Sequence, residues 1–352
     1  MRTVVGATAL AAAIACACTG VAVAAPQVRG QAAPPAPASA SSSGAEHPTL
    51  YPIPAAPVQP EPCPPPPVKH HHRGGHAAPP PKPKVKARDL PHVLPVGPRH
   101  VSLDVLKGKG MWWTTWQQSK VDVNDVVARA TRAGLTQIWV RTGGARQGWY
   151  GADLLTRLLP VAHAAHLAVV AWDFPFFSDP MADVARARAA IEGTFGGEKI
   201  DAFSPDIETI NEGTFNTRHR VKVYLSRVRQ IAGDLPVVAT VMRPSPGQLS
   251  TYTYRVQTKY VDAFAPMVYW SCHEPGQLAA DSVKALSKLR PVHVIGQAYD
   301  MGPEGGRHGL PSGKEIWRFL DASKRAGALG ASLYDAENAN RTHWKTLGAY
   351  PW

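Results

Sequence analysis

The sequence predicts an α/β chain closing into a (β/α)8 TIM barrel, preceded by a disordered Pro-rich linker. Two observations predict the barrel. Eight short apolar runs alternate with amphipathic helical stretches, and together they occupy about 250 residues, the usual size of such a barrel. The composition ahead of them predicts the linker, because it has no periodic apolar face and cannot bury enough surface to offset its ordering entropy. The resulting division is 1–24 signal peptide, 25–102 basic Pro/Ala/His-rich linker and 103–352 barrel.

Residues 1–24 have the layout of a secretory signal: Arg2, an apolar run, and Ala22-Val23-Ala24 as a small-x-small cleavage site. The alternative is a lipoprotein anchored through Cys16 or Cys18. Either reading places the mature chain outside the cytoplasm, secreted or associated with the cell surface and wall. Removal of the leader leaves Cys63 and Cys272, and an oxidising compartment permits a bond between them.

The linker carries Lys69, Arg73, Lys82, Lys84, Lys86, Arg88 and Arg99, a large part of the formal net charge of +12. A flexible basic arm suits anionic cell-wall polymers. General solubility explains the same charge. No aromatics interleave with Lys or Arg along one surface, so no nucleic-acid partner is expected. His70, His71, His72 and His76 lack a patterned carboxylate or thiolate beside them and read as a solvated tract. No metal and no cofactor are expected, and the chain is expected to be a monomer.

The predicted strands cover 110–116, 135–142, 167–174, 200–208, 237–243, 262–270, 292–299 and 331–334. Between them, Val123, Val126, Val127 and Ala130 make a helical stripe. Leu154, Leu158, Val161 and Ala165 make another, and residues 181–191 are rich in helix-forming Ala and Arg. Val221, Tyr224, Leu225, Val228 and Ile231 mark the longest stripe, stopped by Gly233. Residues 278–289 follow the sixth strand, and Ser312 to Glu315 has capping-box spacing. The stretch 248–260 is poorly patterned. A doubly wound open sheet would need a phosphate-binding glycine turn after an early strand. The first strand instead ends in Thr114-Thr115-Trp116.

Barrels place their chemistry at the C-terminal ends of the strands. Those ends carry Trp112, Trp113 and Trp116, then Arg141, then Trp172 and Asp173, then Asp206 and Glu208, then Arg243. Tyr269 and Trp270, then Gln297, Tyr299 and Asp300, then Tyr334, Asp335 and Glu337 complete the circuit. Carboxylates and aromatics dominate. Aromatic faces stack on pyranose rings, and paired carboxyls catalyse glycosidic cleavage. Asp206 and Glu208 share one face of their strand, and each disfavours ionisation of the other, which keeps one protonated for acid catalysis. They are the expected catalytic pair. Trp112, Arg141, Asp173, Tyr269, Trp270, Gln297, Tyr299, Tyr334 and Asp335 are the expected substrate contacts. Aromatics at strand ends also cap barrel cores, and Arg141 also serves as a simple counter-charge to Asp206.

Asp201-x-x-Ser204-x-Asp206-x-Glu208 resembles the D-x-x-D-x-D-x-E signature of family-18 glycoside hydrolases, with Ser204 where that family has Asp. Ala265-Pro266-Met267-Val268-Tyr269 resembles that family's M-x-Y strand, followed here by Trp270 instead of Asp. Residues 110–117 and 134–143 resemble the opening of family-25 lysozymes, with Trp112 in place of an early Asp. Family-18 likeness implies that Glu208 protonates the leaving oxygen, that Asp206 orients the substrate acetamido group, and that Tyr269 hydrogen-bonds it. Family-25 likeness keeps Glu208 as the acid, assisted by Asp206 or Asp335. The expected function is a secreted glycoside hydrolase on peptidoglycan or a chitin-type glycan. The alternative is a non-catalytic glycan-binding or wall-associated protein on a degenerate barrel, which Ser204, Trp112 and Trp270 favour.

Overall fold

The computed structural model describes residues 82–114 and 120–352. Its strands are β1 (Gly108–Trp113), β2 (Gln137–Gly144), β3 (Gly148–Trp149), β4 (Ala168–Phe174), β5 (Ala202–Ile207), β6 (Val238–Met242), β7 (Ala263–Val268), β8 (His293–Gln297) and β9 (Gly330–Tyr334). β1 pairs in parallel with both β9 and β2, so the sheet closes on itself. β3 is a two-residue arm folded back antiparallel onto β2. The other eight strands are the staves of a (β/α)8 barrel, as expected.

Helices α1 (Val123–Arg132), α2 (Ala152–Ala164), α3 (Pro180–Glu192), α4 (Arg218–Ala232), α7 (Pro275–Leu286) and α8 (Gly313–Arg325) form where apolar stripes repeat at helical spacing. Asp122 and Asp179 cap α1 and α3 through their carboxylates, and Ser312 with Glu315 closes the capping box of α8. The poorly patterned stretch yields two short helices, α5 (Pro246–Thr251) and α6 (Tyr254–Gln257). A final helix, α9 (Arg341–Ala349), closes the chain behind an Asn340 cap.

Period two divides the strand residues into two shells. Met111, Ile138, Val169, Phe203, Val241, Phe264, Val294 and Leu333 face outward and pack under the helices. Trp112, Trp139, Val170, Trp172, Val238, Ala265 and Ile295 face inward and fill the barrel. Trp112 stacks on Trp139 with ring centroids 4.6 Å apart, and Trp172 leans on Trp112 at 5.4 Å. Indoles supply bulk that the small residues Ala202, Ala263 and Ala265 opposite them leave unfilled.

Residues 82–102, assigned by composition to the linker, run along the barrel wall. The Val85 amide donates to the Ser178 carbonyl at 3.0 Å, beyond the C-terminal end of β4. The Leu94 amide donates to Ser226 Oγ on α4 at 3.1 Å, and Val93 and Val96 pack against the outer core. Arg99 then binds Asp262 at 2.8 Å and the Val261 carbonyl at 3.1 Å, at the opposite end of the barrel. Leu106, fully buried, plugs that end from inside. The segment is a strap, and its few apolar side chains are too widely spaced to register as a pattern.

At the plugged end, His163 of α2 bridges Asp201 at 2.9 Å and Glu198 at 3.1 Å. Burial alone lowers its pKa, but the two carboxylates outweigh burial and the net shift is upward. A raised folded-state pKa stabilises fully below the unfolded value of about 6.5 and ceases to do so as pH rises through the folded one. His163→Gln is therefore expected to flatten the dependence of Tm on pH from about pH 6 upward. The effect is below about 1 kcal/mol because the pair is partly solvated. Thermal melts across that range check it.

Candidate active site at the open end of the barrel

The C-terminal end of β5 places the two carboxyls. Asp206 is its penultimate residue, level with Thr240 of β6. Glu208 follows directly after the strand, where its backbone carbonyl accepts hydrogen bonds from Asn216 Nδ2 at 2.6 Å and Thr214 Oγ1 at 3.1 Å. Tyr252 Oη clamps the intervening Ile207 carbonyl. The turn is thus held from two sides, and both carboxyl side chains are half-buried.

Burial raises the pKa of Asp206, with Arg141 pulling it back down and Asp173 and Glu212 adding to the rise. Burial also raises Glu208, and here Asp206, Glu212 and Glu304 all push the same way. Glu208 therefore keeps its proton to higher pH than Asp206. Asp206 Oδ1 is buried without a hydrogen-bond partner among the described residues. One step deeper, Ser204 donates to the Val238 carbonyl at 2.7 Å and shares a hydrogen bond of 2.9 Å with Thr240 Oγ1. Its hydroxyl is committed to β6.

Opposite the pair, Tyr269, Tyr299 and Tyr334 gather from the ends of β7, β8 and β9. Their ring centroids lie 5.5 to 5.8 Å apart, each ring in contact with both others. All three residues are half-buried. Tyr299 Oη donates to Glu304 at 3.0 Å. Arg141, inward on β2, lies over the Trp172 ring at 4.9 Å.

Two expected substrate contacts face the other way. Asp173 is 1% exposed and forms a bidentate ion pair with Arg186 of α3 at 2.9 and 3.1 Å. Trp270 is fully buried on the outer shell, 5.3 Å from Phe319 of α8. Each follows an inward residue, Trp172 or Tyr269, and strand alternation turns it toward the helices. Three more are structural in their immediate contacts. Trp112 forms the floor, 1% exposed, with Nε1 donating to Ser332 Oγ at 2.8 Å. Gln297 accepts from the Ser271 amide at 3.0 Å and donates to the Tyr299 carbonyl at 3.0 Å, tying two mouth loops together. Asp335 is buried and accepts from the amide and side chain of Asn338 at 2.9 Å.

Glu212 and Glu304, which shape the field at Glu208, lie on one-turn 3-10 helices at Ile210–Glu212 and Gly302–Glu304. Such turns have no sequence period, and only their place after β5 and β8, the fourth and seventh staves of the barrel, could have singled them out. Trp116 falls outside the described residues, as do Cys63 and the His70–72 tract. Cys272 is disulfide-bonded. Among the described residues no group of His, Cys, Asp and Glu could hold a metal ion, and no helix is long and apolar enough to cross a membrane.

No family model matches the chain, and no curated protein is similar to it. Solved structures are. A chitinase from Chromobacterium violaceum matches with TM-score 0.52 at 10% identity, over 70% of this chain and 100% of that one. A putative alpha-L-fucosidase from Bacteroides thetaiotaomicron matches with TM-score 0.51 at 14% identity, over 75% and 97%. The Bacillus cereus spore cortex-lytic enzyme SleL matches with TM-score 0.50 at 12% identity, over 68% and 73%. The likeness is one of fold. At this identity the barrel is shared with glycoside hydrolases, while the side chains at its mouth must be judged by their own chemistry.

Proposed function

We propose that the protein is an exported glycoside hydrolase acting on an N-acetylated glycan of the peptidoglycan or chitin type. The observation that carries this reading is the pair of half-buried carboxyls at the C-terminal end of β5, across a barrel mouth from three half-buried tyrosines. Fold neighbours named as a chitinase and a cortex-lytic enzyme support the substrate class. Glu208, the more basic of the two, donates its proton to the leaving glycosidic oxygen as the bond to the anomeric carbon breaks. Asp206, as a carboxylate, orients the neighbouring acetamido group, whose carbonyl oxygen forms the new bond to that carbon. Water then attacks and returns its proton to Glu208. In this mechanism Tyr269 hydrogen-bonds the acetamido oxygen, and the tyrosine cluster supplies rings for the sugar face. The leader sequence supports export, and the basic arm supports retention on anionic wall polymers.

One observation favours a second reading, a glycan-binding protein without turnover. Ser204 stands where family 18 carries an acid, and its hydroxyl is bound to β6 rather than to Asp206. Incubation of the purified protein with peptidoglycan and with N-acetylglucosamine oligomers, read by mass spectrometry, separates the two. Shortened glycans are the expected result. Retention on the glycan with no cleavage product would support the second reading and overturn the first.

A further inference from the structure

We infer, resting on the hydrolase reading, that Arg146 gives the rim of the mouth an anion-binding subsite, and that the glycan it selects carries carboxylates on lactyl groups or stem peptides and is not neutral chitin. Arg146 sits at the tip of the arm formed by β2 and β3. Gly143 pairs with Trp149 and Gly144 with Gly148, which leaves Ala145, Arg146 and Gln147 as the loop. The Gln147 amide closes this turn on the Gly144 carbonyl at 3.1 Å, and Gly148, at φ +77°, makes the left-handed step that returns the chain. The Ala145 amide donates to the Phe174 carbonyl at 3.0 Å, which fastens the turn to the end of β4. The arginine is therefore carried on a closed, anchored turn.

Its guanidinium lies over the Phe176 ring, 5.1 Å from the centroid, and Phe176 meets Phe174 edge to face, also at 5.1 Å. Arg146 Nη2 is 3.9 Å from where a side chain at Gly213 would begin, and Gly213 directly follows the Ile210–Glu212 turn. The Phe215 amide donates to the Phe176 carbonyl at 2.7 Å, while Thr214 and Asn216, on either side of Phe215, hold the Glu208 carbonyl. The loops after β2, β4 and β5 thus meet at this guanidinium, and the last of them is the one that fixes Glu208. Arg146 is exposed, and among the described residues no hydrogen bond or ion pair takes its N–H groups, although Glu212 stands on the adjoining turn. An arginine stacked on a ring keeps its donors for a planar anion, which it grips with two parallel hydrogen bonds. One layer deeper, Arg141 lies over Trp172 in the same way. Trp172, Phe174 and Phe176 follow at period two, so the β2–β4 side of the mouth is aromatic and cationic, while Asp206, Glu208 and Glu212 make the β5 side acidic. A negative substituent is repelled on the second side and accepted on the first. A chitin chain has no charge to offer there. A peptidoglycan chain bears on every second sugar a lactyl group, which ends in a carboxylate or continues into a peptide with carboxylates of its own.

The test measures binding first and turnover second. Three oligosaccharides of equal length are used: an N-acetylglucosamine oligomer, the alternating lactyl-bearing oligomer with free carboxylates, and that oligomer carrying stem peptides. Binding is followed by calorimetry in Glu208→Gln, so that no ligand is consumed. At least one acidic glycan is expected to bind about tenfold or more tightly than the neutral one, as a hydrogen-bonded charge pair warrants. Which of the two does so tells whether the lactyl or the peptide carboxylate fills the subsite. The preference should shrink as salt is added. Adding Arg146→Ala or Arg146→Gln is expected to remove most of it, and Arg146→Lys to keep part, since a point charge lacks the fork. Equal affinity for all three glycans, binding of none, or a preference that survives both Arg146→Ala and Arg146→Gln would overturn the inference. In turnover, Arg146→Ala in the otherwise native chain is expected to raise KM on the acidic glycan more than it lowers kcat. Cleavage of all three glycans with no change of preference in Arg146→Ala keeps the hydrolase and loses the subsite. Charge-selective binding that depends on Arg146, without cleavage by the native protein, keeps the subsite and loses the hydrolase.

Discussion

Glu208→Gln is expected to lower kcat on glycan substrates by about 10²–10⁴-fold, the usual contribution of a positioned general acid. KM should change little, because an amide of the same shape still fills the turn that Asn216, Thr214 and Tyr252 hold. The pH profile makes the assignment specific. In the proposed mechanism Asp206 acts ionised and Glu208 protonated, so the ascending limb is expected to report Asp206 and the descending limb Glu208. Burial raises both, and the acidic neighbours raise Glu208 further. The bell is therefore displaced upward from the ordinary carboxylate range, toward neutral pH, and the descending limb disappears in Glu208→Gln. Full activity in that variant would remove Glu208 from the chemistry.

The largest effect on stability is expected at Arg186. Its guanidinium joins Asp173 and Asp183, the latter at 2.6 Å, and all three residues are at most 8% exposed. Asp183 also accepts from the Phe177 amide at 2.8 Å, which pins the loop between β4 and α3. Arg186→Ala leaves two buried carboxylates without the cation that bonds both, and removing one partner of such a pair costs about 3–5 kcal/mol. Arg186→Lys is expected to recover only part, since a point charge cannot reproduce the two-pronged contact with Asp173. The sign of the pH dependence follows. Burial already raises Asp183, to about 6, even with Arg186 present. Without Arg186 both carboxyls bind protons more tightly in the folded than in the unfolded state. The variant should then gain stability as pH falls below neutrality and lose it as pH rises. Chemical denaturation at several pH values measures both the size and the slope.

The barrel was legible because eight staves of one kind repeat with helices of one kind between them. Stops and starts such as Gly233 and the Ser312–Glu315 box stood where the structure has them. The strap was not legible. Proline and lysine dominate residues 82–102, and their composition conceals isolated anchors such as Val93, Val96 and Arg99. α5 and α6 are too short for a helical stripe, and Pro246, Gly247 and a run of Thr and Tyr residues break the pattern there. At the site, the strand-end rule placed Asp206, Glu208 and the three tyrosines together. It also swept in Asp173 and Trp270, although strict alternation from Trp172 and Tyr269 already sends both outward. The acidic residues on the 3-10 turns, Glu212 and Glu304, belong to no strand, and no rule of spacing reaches them.

The strap has a direction. It meets the barrel at Val85, beside the loop that follows β4, and ends at Leu106 under the opposite floor. The described residues therefore begin beside the open rim that carries Asp206 and Glu208. A surface fixed to residues 82–85 holds the molecule like a cup by its lip, because that stretch lies against the rim at Ser178. Attachment through the other terminus would aim the same opening differently, since Trp352 follows α9 at the outer wall.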